Sequence, residues 1–253
     1  MHTLIVARYN EDLSWLVSVP EHFRIIVYNK GREIQDAAAI KRISSIVNTP
    51  NVGRESDSYL RYLEKREPCE QGLTVFSQGN PIEHSPDFLA LVGNEAEWAD
   101  IQALSWCWKE SLDVPPKTVL YSGNHGRLLG KRARSERFSL VSLAATSFHD
   151  KGSYGIAEVY RQAHGLTVGT NLVAHFLNLC ALYEIEAAAR SHLLGEFAYG
   201  AIFAAKNTVV NRFNPSLVPR MREVASSHLI HGYLFEKLWL HILGLCFKCK
   251  EKP

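Results

Sequence analysis

The stretch LIVARYNEDLSWL, residues 4–16, decides how the chain is read. A β-branched apolar run, Thr3–Ala7, stops abruptly at Arg8-Tyr9-Asn10-Glu11-Asp12, and the apolar positions then resume at helical spacing with Leu13, Leu16 and Val17. A short, continuously apolar run fits a strand buried on both faces. FRIIVYNKG at 23–31 is a second such run, and the segment between them, Asp12 to Val19, reads as a helix stopped by Pro20. SDSYLRYLEKR at 56–66 carries Tyr59, Leu60 and Leu63 with charges on the other side and reads as a helix; GLTVFSQG at 72–79 is a third strand bounded by glycines. The resulting β-α-β-α-β order predicts an α/β fold with a mostly parallel, Rossmann-like sheet flanked by helices.

Open parallel sheets hold ligands beyond the carboxyl ends of their strands. Each predicted strand leaves the sheet through a polar cluster at that edge: RYNE after the first, NKG after the second and QGN after the third. Arg8, Tyr9, Asn10 and Glu11 therefore read as ligand contacts, joined by Asn29, Lys30, Gln78, Gly79 and Asn80. A purely structural role, with Asn10 or Asp12 capping the next helix, is the competing reading. The two are compatible, because a helix N-terminus at a strand edge is itself an anion site.

The composition agrees with one such domain. The chain has 253 residues, 46% hydrophobic and 21% charged, enough to bury a full core. A net charge of +2 gives no global basic field, so nucleic acid is not an expected partner. Five cysteines at irregular spacing point to a reducing compartment, and the short first apolar run is no signal-peptide core, so the expected location is cytoplasmic. YLFEKLWLHILGLCFKCK at 233–250 is interrupted by Glu236, Lys237 and His241. This limits it to peripheral contact with a membrane surface and excludes a transmembrane segment.

The second half is less regular. Residues 115–138 carry Gly turns and the basic run Lys131, Arg132, Arg134 and Arg137, which reads as an exposed loop. SYGIAEVYRQAHG, the broken-looking 171–195, PSLVPRMREVASS and YLFEKLWLHILG read as helices, and EFAYGAIFAAKNTVVNRF reads as a strand entering a helix. CFKC at 246–249 has metal-ligand spacing without a second pair and reads as part of a frayed basic tail, 246–253.

Six ordered segments, LIVARYNEDLSWL, VYNKG, PNVGRESDSYLRYL, TVFSQGNPIEHSPDF, AYGAIFAAKNTV and HGYLFEKLWLHILG, together resemble the family catalogued as domain of unknown function 3431, over residues 3 to about 244. The layout also resembles the GT-A type nucleotide-sugar glycosyltransferases. That resemblance implies a single GT-A-like domain with a nucleotide-binding half at 1–92 and an acceptor-side half at 93–245. It also implies that Asn51, Gly53, Arg54 and Glu55 of PNVGRE join the strand-exit residues in binding a nucleotide-diphosphate sugar. A carbohydrate or other hydroxyl acceptor would be the second partner, in a pathway such as cell-surface polysaccharide synthesis.

In that group an acidic motif, often Asp-x-Asp, holds Mn²⁺ or Mg²⁺ on the diphosphate. Gln78-Gly79-Asn80 stands in its place here, and amide oxygens are poor ligands for hard cations. Either Glu83 and His84 substitute, or the cations Arg8, Lys30 and Arg54 neutralise the diphosphate. Transfer to a hydroxyl needs a base, for which the resemblance points to Glu236, with Glu11, Glu55 and Glu83 as rivals. No spacing fixes a pair of carboxylates, so inversion and retention stay open. The competing functions are a catalytically inactive binding module, favoured by the missing acidic motif, and a nucleotidyltransferase, for which a basic Gly-rich loop should follow the first strand.

Overall fold

The computed structural model describes residues 2–106, 122–123, 126–127, 132–147 and 150–249. In chain order its strands are β1 (His2–Arg8), β2 (Phe23–Asn29), β3 (Ser45–Asn48), β4 (Leu73–Gln78), β5 (Ile101–Ala103), β6 (Ser122–Gly123), β7 (Gly126–Arg127), β8 (Glu136–Ser139), β9 (Leu194–Phe197) and β10 (Phe203–Lys206). Its α-helices are α1 (Ala37–Arg42), α2 (Arg54–Lys65), α3 (Phe88–Val92), α4 (Lys151–His164), α5 (Leu172–Leu179), α6 (Tyr183–Arg190), α7 (Asn207–Val210), α8 (Val218–Ser227) and α9 (Leu229–Ile242).

The main sheet has six strands in the order β3-β2-β1-β4-β10-β5. The first four are parallel, whereas β10 runs antiparallel to both β4 and β5. Alternation along β1 explains its apolar run: Leu4 and Val6 enter one core with Leu13, Leu16, Phe88 and Leu91, while Ile5 and Ala7 enter the other with Tyr59, Phe76 and Trp239. Strand β2 repeats the pattern with Ile25 and Val27 on the first side and Ile26 and Tyr28 on the second. The α/β class and the mostly parallel, helix-flanked sheet are therefore as expected. β5 and β10, both from beyond residue 92, complete the same sheet as the first four strands.

Several local expectations are corrected. The helix expected at 12–19 is a 3₁₀ segment, Ser14–Ser18; Leu13 just before it and Leu16 within it are buried, but Val17 is 54% exposed. Spacing of three suits a 3₁₀ turn, and Val17 falls off that face. Strand β3 and helix α1 lie between the two strands first read as neighbours in sequence; β3 is a four-residue edge strand with every second residue exposed. The helical stretch in 171–195 divides into α5 and α6 at Ala181, whose φ is 58°.

The run read as an exposed basic loop is partly packed. Arg132 forms a two-pronged pair with Asp87, Arg134 stacks over Trp106 and pairs with Glu136, and β8 follows directly; Lys131 lies outside the described residues. The C-terminus is not frayed through 249 either. Lys248 exchanges backbone hydrogen bonds with Leu194, and the Phe247 ring stacks on His241 at 4.0 Å.

Helix α9 is not free for a membrane surface. Leu234, Phe235, Leu238, Trp239, Leu240 and Ile242 are all buried, so the broad apolar stripe is the centre of the core. Among the described residues no helix is long and apolar enough to cross a membrane. The Trp239 ring packs against Tyr59, Phe203 and Phe235 at centroid distances of 5.5, 6.1 and 5.7 Å. Trp239→Ala should reduce unfolding free energy by about 3–5 kcal/mol in urea denaturation; a loss below about 1 kcal/mol is incompatible with this packing.

Candidate functional site

The strand exits meet as expected, and hydrogen bonds show how. Arg8 lies opposite Asn29 in the β1–β2 register, and Ala7 lies opposite Gln78 in the β1–β4 register. Arg8 is only 8% exposed. Its guanidinium donates to the carbonyls of Glu11 (2.9 Å) and Arg32 (2.7 Å) and to Asn29 Oδ1 (2.7 Å). Asn29 Nδ2 in turn donates to the Arg32 carbonyl at 3.2 Å and to Asn48 Oδ1 at 3.2 Å. Arg8 and Asn29 thus brace the loops after β1 and β2. Asn10 belongs to the same bracing, its Oδ1 accepting from the Arg32 amide at 2.9 Å.

Gly79 leaves room for the Glu11 side chain: a Cβ there would lie 2.5 Å from Glu11 Oε2 and displace the carboxylate. The Glu11 carboxylate accepts from the Tyr9 amide at 2.6 Å, and the Gly79 carbonyl accepts from Trp15 Nε1 at 2.9 Å.

Between these loops and α2 lies a cavity of about 260 Å³, lined by Ala7, Arg8, Tyr9, Glu11, Lys30, Asn51, Arg54, Glu55 and Gln78. The chain enters α2 through Gly53 in a left-handed conformation (φ 62°) with no side-chain cap, so the helix's positive end is left to the cavity. Lys30 reaches under this turn, donating to the Val52 carbonyl at 2.6 Å and to the Arg54 carbonyl, with Asp57 Oδ2 at 3.9 Å. Burial lowers the Lys30 pKa to about 8, against the pull of Asp57 and Glu55.

Glu55 is 7% exposed. Its Oε2 stands 3.6 Å from Arg54 Nε, while its Oε1 is buried without a hydrogen-bond partner. Burial drives its pKa up to about 7; Arg54 opposes the shift and Glu236 reinforces it.

Arg54 and Gln78 also line a second cavity, of about 220 Å³, whose other walls come from α4, α9 and the turn after β9. Here Glu236 Oε1 accepts from the Gly200 amide at 2.9 Å. Gly200 has φ 66°, and a Cβ on it would lie 2.6 Å from His84 Cδ2, so two constraints select glycine. The Arg54 guanidinium lies 4.2 Å over the Tyr233 ring, and Gly232 gives it room, since a Cβ there would meet Arg54 Cδ at 2.6 Å. Lys237 Nζ sits 3.5 Å from Asp150 Oδ2 and 3.4 Å from the Phe197 ring centroid. Arg54 and Gln78 line both cavities, so the two adjoin there and together make up the candidate cleft. It has cations on both sides and carboxylates at Glu55 and Glu236.

Not every predicted residue reaches this cleft. Asn80 lies with Glu11, Asp12 and Trp15 in a separate cavity, and Asn10 faces another with Arg32 and Asp36. Gly53 shapes the turn, and Asn29 braces from below. His84 lines the second cavity with its ring edge-on to Tyr199 at 4.8 Å, whereas Glu83 is exposed. Gln78 and His84 thus share the second cavity while Asn80 lines a different one, and the amide oxygens of Gln78 and Asn80 are weak ligands for a hard cation.

Among the described residues the group with ligand-like proximity is His2, His22 and Glu95, at the opposite, amino end of the sheet. There the Leu73 amide donates to His2 Nδ1 at 3.2 Å, which leaves the ring proton on the Nε2 that faces Glu95. A protonated nitrogen is a hydrogen-bond donor and offers no lone pair to a metal.

Tyr233, Lys237, Asp150 and Tyr199 enter the cleft without having been singled out in the sequence. Tyr233 was accessible to reasoning, since it precedes Glu236 by three residues and shares its helix face. Lys237 was not, because its partner Asp150 is 87 positions away. Comparison of the chain with protein-family models, curated proteins and solved structures finds no match.

Two stability outcomes follow from this geometry. Arg8→Ala strips the brace between two strand exits and should cost about 2–4 kcal/mol of unfolding free energy in urea, instead of acting on ligand affinity alone; unchanged stability would return Arg8 to a purely ligand-contacting role. Glu55 has a folded pKa of about 7 against an ordinary 4.5, so the folded state holds the proton more tightly than the unfolded state between those values. Its contribution is full below about pH 4.5, falls as pH rises towards 7, and is lost above it. Glu55→Gln should therefore be more stable than the parent at pH 8, by up to about 3 kcal/mol, with the gap narrowing towards pH 5. A gap independent of pH would show that Glu55 ionises normally.

Proposed function

We propose that the protein is a glycosyltransferase that moves a sugar from a nucleotide-diphosphate donor to a glycan or other hydroxyl acceptor. The observation that carries the proposal is the two-part cleft joined at Arg54 and Gln78. Its strand-exit side offers an uncapped helix N-terminus with Lys30 and Arg54, a setting for a diphosphate. Its other side offers Glu236, held in place by the Gly200 amide, a setting for a base acting on an acceptor hydroxyl. The six-stranded, mostly parallel sheet supports a GT-A-like reading of the fold.

In this proposal Arg54 spans the junction and orients the diphosphate, while Lys30 holds the backbone of the α2 entry turn and adds positive charge beneath it. Glu236 takes the acceptor proton as the acceptor oxygen bonds to the anomeric carbon. Neutralising the diphosphate falls to the cations in this reading, because amide oxygens stand at Gln78 and Asn80 where carboxylates would be needed to hold a hard cation.

Thermal-shift titration with UDP, GDP and their sugars should raise the melting temperature with or without Mn²⁺. Arg54→Ala should weaken that binding by about 10- to 100-fold. Glu236→Gln should retain donor affinity within a few fold while donor turnover, followed by release of nucleoside diphosphate in the presence of a glycan acceptor panel, drops about 10²- to 10⁴-fold. Stabilisation by nucleotides with no turnover of any sugar in the parent protein would instead support a binding module, the reading favoured by the absent acidic motif. No stabilisation by any nucleotide would remove the proposal.

A further inference from the structure

Glu55 is the one buried acid of the cleft that the proposed reaction leaves unused. It stands in the first turn of α2, a twelve-residue helix with an uncapped N-terminus, and lines the same cavity as Lys30 and Arg54. A carboxylate kept ionised in such a place would weaken the site for a phosphate, since like charges repel and the helix end would already be neutralised. Its surroundings shift it towards the protonated form. Oε1 is buried with no hydrogen-bond partner, a position where a charge is costly and a proton is retained. Arg54, 3.6 Å from the other oxygen, favours the charged form together with Glu55's own backbone amide and Lys30, but its charge is divided between Glu55, Glu236 and the Tyr233 ring.

We propose that Glu55, in its carboxylic acid form, is the proton donor to the departing diphosphate in the transfer reaction. The inference rests on the transferase reading and adds a second proton-transfer group to it. The bond between the anomeric carbon and the β-phosphate oxygen breaks with its electron pair staying on that oxygen, which then takes the proton of Glu55. The acceptor's proton goes to Glu236, so the protein gains one proton and gives up one. Two carboxyl groups in one cleft thus divide the work of acid and base, as unequal environments allow. Glu55 supplies by proton transfer part of the charge neutralisation that a hard cation would supply by coordination.

The titratable and charged groups around Glu55 are Arg54 and Tyr59 on its own helix, Lys30 after β2, Glu236 on α9, Arg8 at the end of β1, and Tyr9 and Glu11 in the loop that follows it. Burial outweighs the neighbouring cations and leaves its pKa near 7, so a bound anion is expected to raise it further. This proton linkage can be read without turnover.

The test is a pH titration of the full chain by carbon-13 NMR of the glutamate side-chain carboxyl carbons, alone and with saturating inorganic pyrophosphate. The Glu55 signal is the one missing in Glu55→Gln, a near-isosteric change expected to leave the fold intact. Its midpoint should lie near 7 and rise by about one pH unit or more with pyrophosphate. Calorimetry at pH 7.5, in buffers of different ionisation enthalpy, should show the parent taking up more protons per pyrophosphate bound than Glu55→Gln does.

A midpoint below about 5, a midpoint unmoved by bound pyrophosphate, or no binding of pyrophosphate overturns the proposal. If a nucleotide sugar is turned over while the Glu55 midpoint does not respond, this inference fails and the transferase reading stands. If the midpoint responds but no nucleotide sugar binds, the transferase reading fails, and Glu55 remains a proton-linked anion contact without a role in transfer.

Discussion

Strand β1 is hydrogen-bonded along both edges and covered on both faces, with Leu4, Ile5 and Val6 wholly removed from water. A strand so placed has no room for an unpaired polar side chain, because such a group there would cost more than the local packing returns. From Leu4 to Ala7 the strand is therefore apolar and polar residues gather at the carboxyl edge, while the polar side chains that neighbouring β4 does bury, Thr74 and Ser77, each have a hydrogen-bond partner. Arg8, the first residue at that edge, is buried only because three carbonyl oxygens and Asn29 Oδ1 take up its hydrogens. Its bracing fixes where the loops after β1 and β2 run, and hence the wall of the cleft.

The cleft gains its chemical character from α2 and α9 crossing at Arg54, Gly232 and Tyr233. Helix α9 is core on one side and cleft on the other, so Glu236 projects from a rigid, fully packed element. Such a foundation suits a group that must keep its geometry. Electrostatic opposition is built in as well. Lys30 is buried at a cost in proton affinity, Glu55 is buried at the opposite cost, and Arg54 between them is shared. Charges arranged in this way are partly unsatisfied by one another and retain the capacity to respond to a ligand.

How much of this was legible in the sequence follows from the range of the interactions involved. Strands β1, β2 and β4 could be read because each is a run buried on both faces and closed by polar residues. Helix α1 was signalled by Asp36, whose carboxylate accepts from the amides of Ala38 and Ala39, but its six residues gave too little periodicity to register. The edge strand β3 was not legible: four residues with alternate exposure resemble a loop. The convergence of the strand exits followed from topology, whereas Arg54 and Glu55 entered through the resemblance carried by PNVGRE. What remained hidden was whatever depends on partners distant in sequence. Arg8 as a brace, Lys237 with Asp150, and the packing of Arg132 on Asp87 are examples, since nothing local distinguishes such cations from solvated ones.

The reversed strand β10 has a consequence for how the molecule is assembled. It lies between β4 and β5, yet its residues 203–206 come about 125 positions after the end of β4 at Gln78. While the chain is being made, β1 to β4 can pair as soon as residue 78 is available, but the outer edge of β4 then remains unmatched until roughly half of the protein has followed. That edge offers free amide and carbonyl groups beside Val75 and Phe76, the kind of surface that pairs indiscriminately. Long-range closure of this sort also slows folding, because loop entropy is lost before the contacts that offset it are formed. Until β10 has been made, the outer edge of β4 has no β10 to pair with, and an open edge of this kind is prone to wrong pairing.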